Sequence, residues 1–139
     1  MNRTATVREY VLDSHDELLD AVLGCADEVA ASWDGDATAD RTAVVEPFER
    51  ALETTGIAER LPAVLVGAVD ALGESLEAEP VAAPPYVVVT SRGPVLRATL
   101  DPGRLVIAVR AFEIERDPTR YVRGPTVIEE ALDVAFKTR

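Results

Sequence analysis

With 139 residues, 47% of them apolar, and a net charge of −11, the chain can fill a hydrophobic core and is not disordered as a whole. Twenty-five acidic against fourteen basic residues count against binding a polyanion through bulk positive potential. A single cysteine, Cys25, excludes an internal disulfide and a Cys-based metal site, and the longest apolar run, Leu61 to Val69, is too short to span a bilayer.

The amino-terminal residues lack the apolar run of a secretory signal, so the expected location is the cytoplasm. Ser14-His15-Asp16-Glu17 has the form of a capping box, with Ser14 capping and Glu17 reaching back. Behind it Leu18, Leu19, Val22, Cys25, Ala26 and Val29 recur at helical spacing, predicting a helix that ends near Trp33. Val7 and Val11 extend the stripe upstream, leaving residues 4–12 open between helix and strand. Asp34 to Asp40 has the look of a calcium loop, but Ala39 stands where such loops need Gly and Val45 where they need Glu, so it reads as a solvated acidic loop. Pro47 and Pro62 suit the first turns of two further helices. Phe48, Ala51 and Leu52 face the core on one, and Val64, Leu65, Ala68, Val69, Leu72 and Leu76 on the other. Their helix–turn–helix look, with Gly56 in the turn, does not make a DNA reader. Glu59, Asp70, Glu74 and Glu77 against one arginine, Arg60, would be repelled by a major groove. Residues 78–85 form a Pro-rich connector.

From Tyr86 the period falls to two. Strands are expected over 86–91, 94–100 and 104–115, with hairpin turns at Arg92-Gly93 and Pro102-Gly103. That register sets Val89 opposite Leu96, Leu96 opposite Val109, Ala98 opposite Ile107 and Leu100 opposite Leu105. One face is then wholly apolar. The other mixes Tyr86, Val88, Thr90, Val95, Val106, Ala108, Phe112 and Ile114 with Thr99, Arg97 and Arg110. A closing helix over 125–138, with Val127, Ile128, Ala131, Leu132 and Ala135 as its stripe, is the expected cover for part of it. The predicted fold is thus one α+β domain over 1–139: about three helices in 1–77, a three-stranded antiparallel meander in 86–116, and the carboxy-terminal helix.

Residues 1–80 hold eighteen acids and five bases, whereas residues 81–139 hold seven and nine. Arg92, Arg97 and Arg110, with Tyr86 and Phe112, are therefore the candidate binding residues. A guanidinium fork donates two parallel hydrogen bonds to an oxyanion, and sheet aromatics can stack on a ligand. Against this stands pairing of the arginines with the chain's own acids, such as Glu113, Glu129 or Glu130. His15 needs no catalytic role inside a helix start, and no nucleophile elbow, phosphate loop or dinucleotide fingerprint occurs. No catalytic residue, metal ligand or cofactor is assigned.

The near-absence of lysine (Lys137 alone), the carboxylate excess and the Tyr86-Val87-Val88-Val89-Thr90-Ser91-Arg92-Gly93-Pro94 string together resemble small acidic uncharacterised proteins of haloarchaea. The resemblance implies a cytoplasm at molar salt, where charges screen each other within about 3 Å and only contacts count. It implies no activity. The expected function is a non-catalytic protein-interaction module that uses the mixed face for a protein partner or a second copy. The first alternative is a binder of a phosphorylated small molecule or RNA through the arginines, although nucleic acid is disfavoured by the acidity. The second is an enzyme with a carboxylate-lined cleft.

Overall fold

The computed structural model describes residues 2–139. Three helices come first: α1 (Arg3–Ala31), α2 (Thr42–Thr54) and α3 (Ile57–Ala71). The two-residue strand β1 (Ala37–Thr38) lies between α1 and α2. Strands β2 (Val87–Val89), β3 (Pro94–Thr99), β4 (Gly103–Val109), β5 (Phe112–Glu115) and β6 (Arg120–Arg123) follow. The one-turn α4 (Ile128–Ala131) then leads into β7 (Leu132–Thr138). All pairings are antiparallel, in a four-stranded sheet ordered β2-β3-β4-β7 and a three-stranded sheet ordered β1-β6-β5. An α+β fold with helices ahead of a meander is therefore present, within a larger strand set than the sequence suggests.

Residues 4–12 are helical, and the capping box does not start α1. Asn2 does, its side chain accepting from the Ala5 N–H at 2.7 Å. Val7 and Val11 belong to the same buried stripe as Leu18 and Val22, so burial carries the helix through Ser14. The capping sequence instead marks a break: His15 sits at φ −134°, ψ 20°. Its Nε2 lies 2.9 Å from the Tyr10 hydroxyl, which closes the bend.

Pro47 and Pro62 lie at the sixth residues of α2 and α3, one turn deeper than expected. A proline there leaves the carbonyl four residues earlier without its helical partner. At Pro47 that carbonyl belongs to Ala43, and the Trp33 indole N–H donates to it at 3.0 Å. A side chain from the end of α1 thus satisfies the gap and ties α1 to α2. Asp40 caps α2, its carboxylate accepting from the Thr42 N–H at 2.9 Å and hydroxyl at 2.7 Å. Those bonds hold the Asp40 carboxyl below its usual range. Gly73, at φ +73°, ends α3 before Leu76: its N–H reaches Asp70 and that of Glu74 reaches Val69.

The meander register differs from the expected one by two residues. Thr90 and Gly93 exchange hydrogen bonds, as do Leu100 and Gly103, so the loops are Ser91-Arg92 and Asp101-Pro102. Gly93 and Gly103 are needed for close approach: a Cβ would lie 2.0 Å from the Val109 oxygen and 2.2 Å from the Lys137 oxygen, respectively. Because side chains alternate with period two, an even shift leaves every residue on its expected face. Val87, Leu96, Ala98, Leu100, Leu105, Ile107 and Val109 are all buried.

Two expectations fail past Val109. The third strand is not continuous to Glu115, because the chain leaves the first sheet at Arg110–Ala111 and enters the second at Phe112. The closing helix over 125–138 is one turn only. Leu132, Val134 and Phe136 also alternate with Asp133, Ala135 and Lys137, and this second period wins because the open edge of β4 offers seven pairing positions. The truncated turn has its carbonyls capped by arginines: Arg8 donates to Leu132 at 2.8 Å and to Glu129, and Arg110 to Glu130 at 2.9 Å.

A single hydrophobic cluster joins α1–α3 to the inner faces of both sheets. No charged or polar side chain is buried among the described residues, and only two ion pairs form there, Arg120–Glu115 and Arg123–Asp27. The acidity is therefore mostly hydrated surface. No helix among the described residues is long and apolar enough to cross a membrane.

Candidate functional site

Antiparallel pairing places the outward side chains of the four-stranded sheet in rows. Val88, Val95, Ala108 and Asp133 form one row. The next runs through Arg97, Val106 and Ala135, with Tyr86 beside Arg97, whose N–H donates to the Tyr86 carbonyl at 2.8 Å. The third contains Thr99, Arg104 and Lys137. Val88, Val95, Val106 and Ala108 are half-exposed and stand outside the core cluster, while Arg97, Arg104 and Lys137 are exposed. The helix expected to cover this face is instead its fourth strand. What remains is an apolar centre with three cations along one end and one carboxylate, Asp133, at the other.

The candidate residues separate. Arg97 and Tyr86 lie together on this face. Arg92 is exposed in the β2–β3 loop at the opposite end from Arg104. Arg110 is taken up by the fold, bonding the Glu130 backbone carbonyl rather than an acidic side chain, and its Nε is buried without a partner. Phe112 does not reach the face at all. It is fully buried, with its ring centroid 5.3 Å from Phe48 in an edge-on contact and 5.8 Å from Trp33. The assumption of an unbroken strand put it there; the switch between sheets turns it inward. Arg104 and Lys137 were missed as site residues. Arg104 could have been found as the polar neighbour of Leu105 on the strand, whereas Lys137 lay inside the expected helix.

Arg97, Thr99 and Arg104 line a partly open cavity of about 420 Å³ together with Tyr86, Pro84, Pro85, Leu76 and Glu77. A wider cavity of about 1010 Å³ lies beside Trp33 and the acidic loop. Of its acids, Asp27 and Glu115 are paired with Arg123 and Arg120, leaving Asp34 and Asp36 exposed on the loop. No group of three or more His, Cys, Asp or Glu among the described residues is placed to hold a metal ion.

The two remaining reactive groups sit elsewhere. Cys25 is buried, and desolvation pushes its thiol pKa up despite the nearby Thr55 hydroxyl, which acts the other way. A protonated, buried thiol is a poor nucleophile. His15, at the α1 bend, is held below its ordinary value by burial and by the nearby Arg60. Gly67 makes room for its partner, since a Cβ there would collide with the Tyr10 hydroxyl at 1.7 Å. His15 and Tyr10 thus form a structural joint between α1 and α3.

Neither a curated protein nor a solved structure matches the chain significantly. A family model does, over residues 5–137, and the chain belongs to the family described as Domain of unknown function (DUF7988).

Proposed function

We propose that the chain is a non-catalytic protein-interaction module of a halophilic cytoplasm, docking an acidic protein surface on the outer face of its four-stranded sheet. The observation that carries this reading is the half-exposed strip of Val88, Val95, Val106 and Ala108 bordered by Arg97, Arg104 and Lys137. An apolar centre with a charged rim is the general anatomy of a protein interface. Three cations gathered on one face of a chain of net charge −11 select a partner of opposite sign. Two copies meeting with their cationic ends superposed would repel, and end-reversed copies would offer the three cations a single carboxylate, Asp133, which disfavours self-association through this surface.

The only lysine in the chain lies on this face, so it reports directly on what covers it. A zero-length carbodiimide joins an amine to a carboxylate in contact with it. Applied in molar KCl to complexes from the native cytoplasm, it is expected to join Lys137 to a carboxylate of another protein. The adduct is expected to disappear in Lys137→Arg and to fall sharply in Ala108→Gln, which adds neutral bulk at the centre of the face. Adducts confined to the chain's own Asp133, or unaffected by Ala108→Gln, would refute the docking reading.

A further inference from the structure

We infer that the cavity at the Arg97/Arg104 corner is a binding site for a phosphate monoester carrying a flat apolar body. Arg97 faces Val106 across the β3–β4 pair and Arg104 faces Thr99, so the two arginines are diagonal neighbours on one face, and Thr99 adjoins both, directly opposite Arg104 and two residues along the strand from Arg97. Diagonal side chains on paired strands start about 7–8 Å apart, and two long arginines can close that gap around one oxyanion. Neither makes an ion pair or a side-chain hydrogen bond among the described residues. That contrasts with Arg8, Arg110, Arg120 and Arg123, all of which are engaged within the fold.

The cavity supplies what an open arginine pair lacks. Tyr86 and the Pro84-Pro85 step add apolar lining beside the cationic corner, and Leu76 and Ala78 extend it, so the cavity is partly enclosed rather than flat. At about 420 Å³ it has room for a phosphate and one ring. A tetrahedral phosphate offers three terminal oxygens, enough to accept from two guanidinium forks and a hydroxyl together. At molar salt an exposed phosphate contact is screened within about 3 Å, so a site that works there must hold its ligand in contact and partly enclosed. Glu77 also lines the cavity, and its charge opposes an anion. Arg92 and Arg110 take no part, the first lying at the other end of the sheet and the second bound to Glu130.

The inference shares Arg97 and Arg104 with the docking rim but rests on the corner cavity rather than on the apolar centre, so Ala108→Gln separates the two readings. The test is an NMR titration of the isolated protein with phenyl phosphate in molar KCl, following the arginine Nε–H and backbone amide signals. Saturable shifts are expected at Arg97, Thr99 and Arg104. Arg97→Gln and Arg104→Gln are each expected to weaken binding about tenfold or more, with the amide spectrum otherwise intact. Arg97→Lys, which keeps the charge and loses the fork, should fall between wild type and Arg97→Gln. Glu77→Gln should tighten binding, and Ala108→Gln should leave it unchanged while sharply lowering the yield of the Lys137 adduct. Shifts that never saturate, or that appear equally at the remote Arg41 and Arg50, would overturn the inference. So would phenol or benzoate binding as well as phenyl phosphate, since the site would then read the ring or any carboxylate rather than phosphate.

Discussion

Replacing Phe112 by alanine is expected to destabilise the protein by about 3–5 kcal/mol, measured by chemical unfolding in molar KCl. The ring is fully buried at the point where the chain passes from one sheet to the other, and it packs edge-on against Phe48 of α2 and tilted against Trp33. Truncation removes both aromatic contacts and leaves a cavity bounded by the end of α1, α2 and the second sheet. Backbone bonds reinforce the same junction, with the N–H groups of Ala111 and Phe112 both donating to the Arg92 carbonyl. The neighbourhood is therefore poorly placed to collapse into the void, which favours the upper part of that range. A loss below about 1 kcal/mol would show that Phe112 is solvent-facing, as its place on a continuous strand implied.

The second large effect is expected at Arg123, for a different reason. Its guanidinium donates to the Ala111 carbonyl at 2.6 Å, the Pro125 carbonyl at 2.9 Å and the Leu23 carbonyl at 3.2 Å, and its Nε to Asp27 at 2.8 Å. The side chain is 15% exposed, so these partners lose much of their access to water. Arg123→Met keeps the aliphatic stem and removes every donor. The expected loss is about 2–4 kcal/mol, mostly from the three charge-assisted bonds to carbonyls, although Ala111 keeps the Gly124 N–H, rather than from the ion pair to Asp27, whose carboxylate is well exposed. Because salt screens charges but not hydrogen bonds to carbonyls, the loss should persist in molar KCl. Asp27→Asn is expected to cost far less, and equal losses for the two variants would locate the stabilisation in the ion pair instead.

The meander was legible because its signal is redundant. Alternation at Val87, Leu96, Ala98, Leu105 and Ile107 assigns faces independently of the turns, so a register wrong by two residues still separates Leu96 from Arg97. The carboxy-terminal segment was not legible, because Leu132 to Lys137 satisfies both periods. Only the open edge of β4, a tertiary fact, decides between them. Phe112 was misplaced for a related reason: nothing local in Val109-Arg110-Ala111-Phe112 announces a change of sheet. Trp33 to Ala43 is a third case: Pro47, read as a first-turn residue, gave no sign of the unpartnered Ala43 carbonyl or of the indole that fills the gap.

The cationic end of the face was half legible. Arg97 follows from strand alternation, but its companions Arg104 and Lys137 depend on knowing that β4 and β7 are neighbours. Conversely, the charge asymmetry between the two halves of the sequence overstated the arginines available. Arg110, Arg120 and Arg123 are spent on holding the fold, a use that composition does not separate from ligand binding.

Thiol labelling of Val106→Cys in the isolated protein offers the sharpest check, with buried Cys25 as the protected reference in the same molecule. If the greasy middle of that sheet is bare until a partner arrives, the new thiol reacts nearly as fast in the folded protein as in the denatured one, and Cys25 stays unmodified. A thiol at 106 as protected as Cys25 would mean that the chain already covers this surface, alone or with a second copy, and nothing would be left there for another protein to grip.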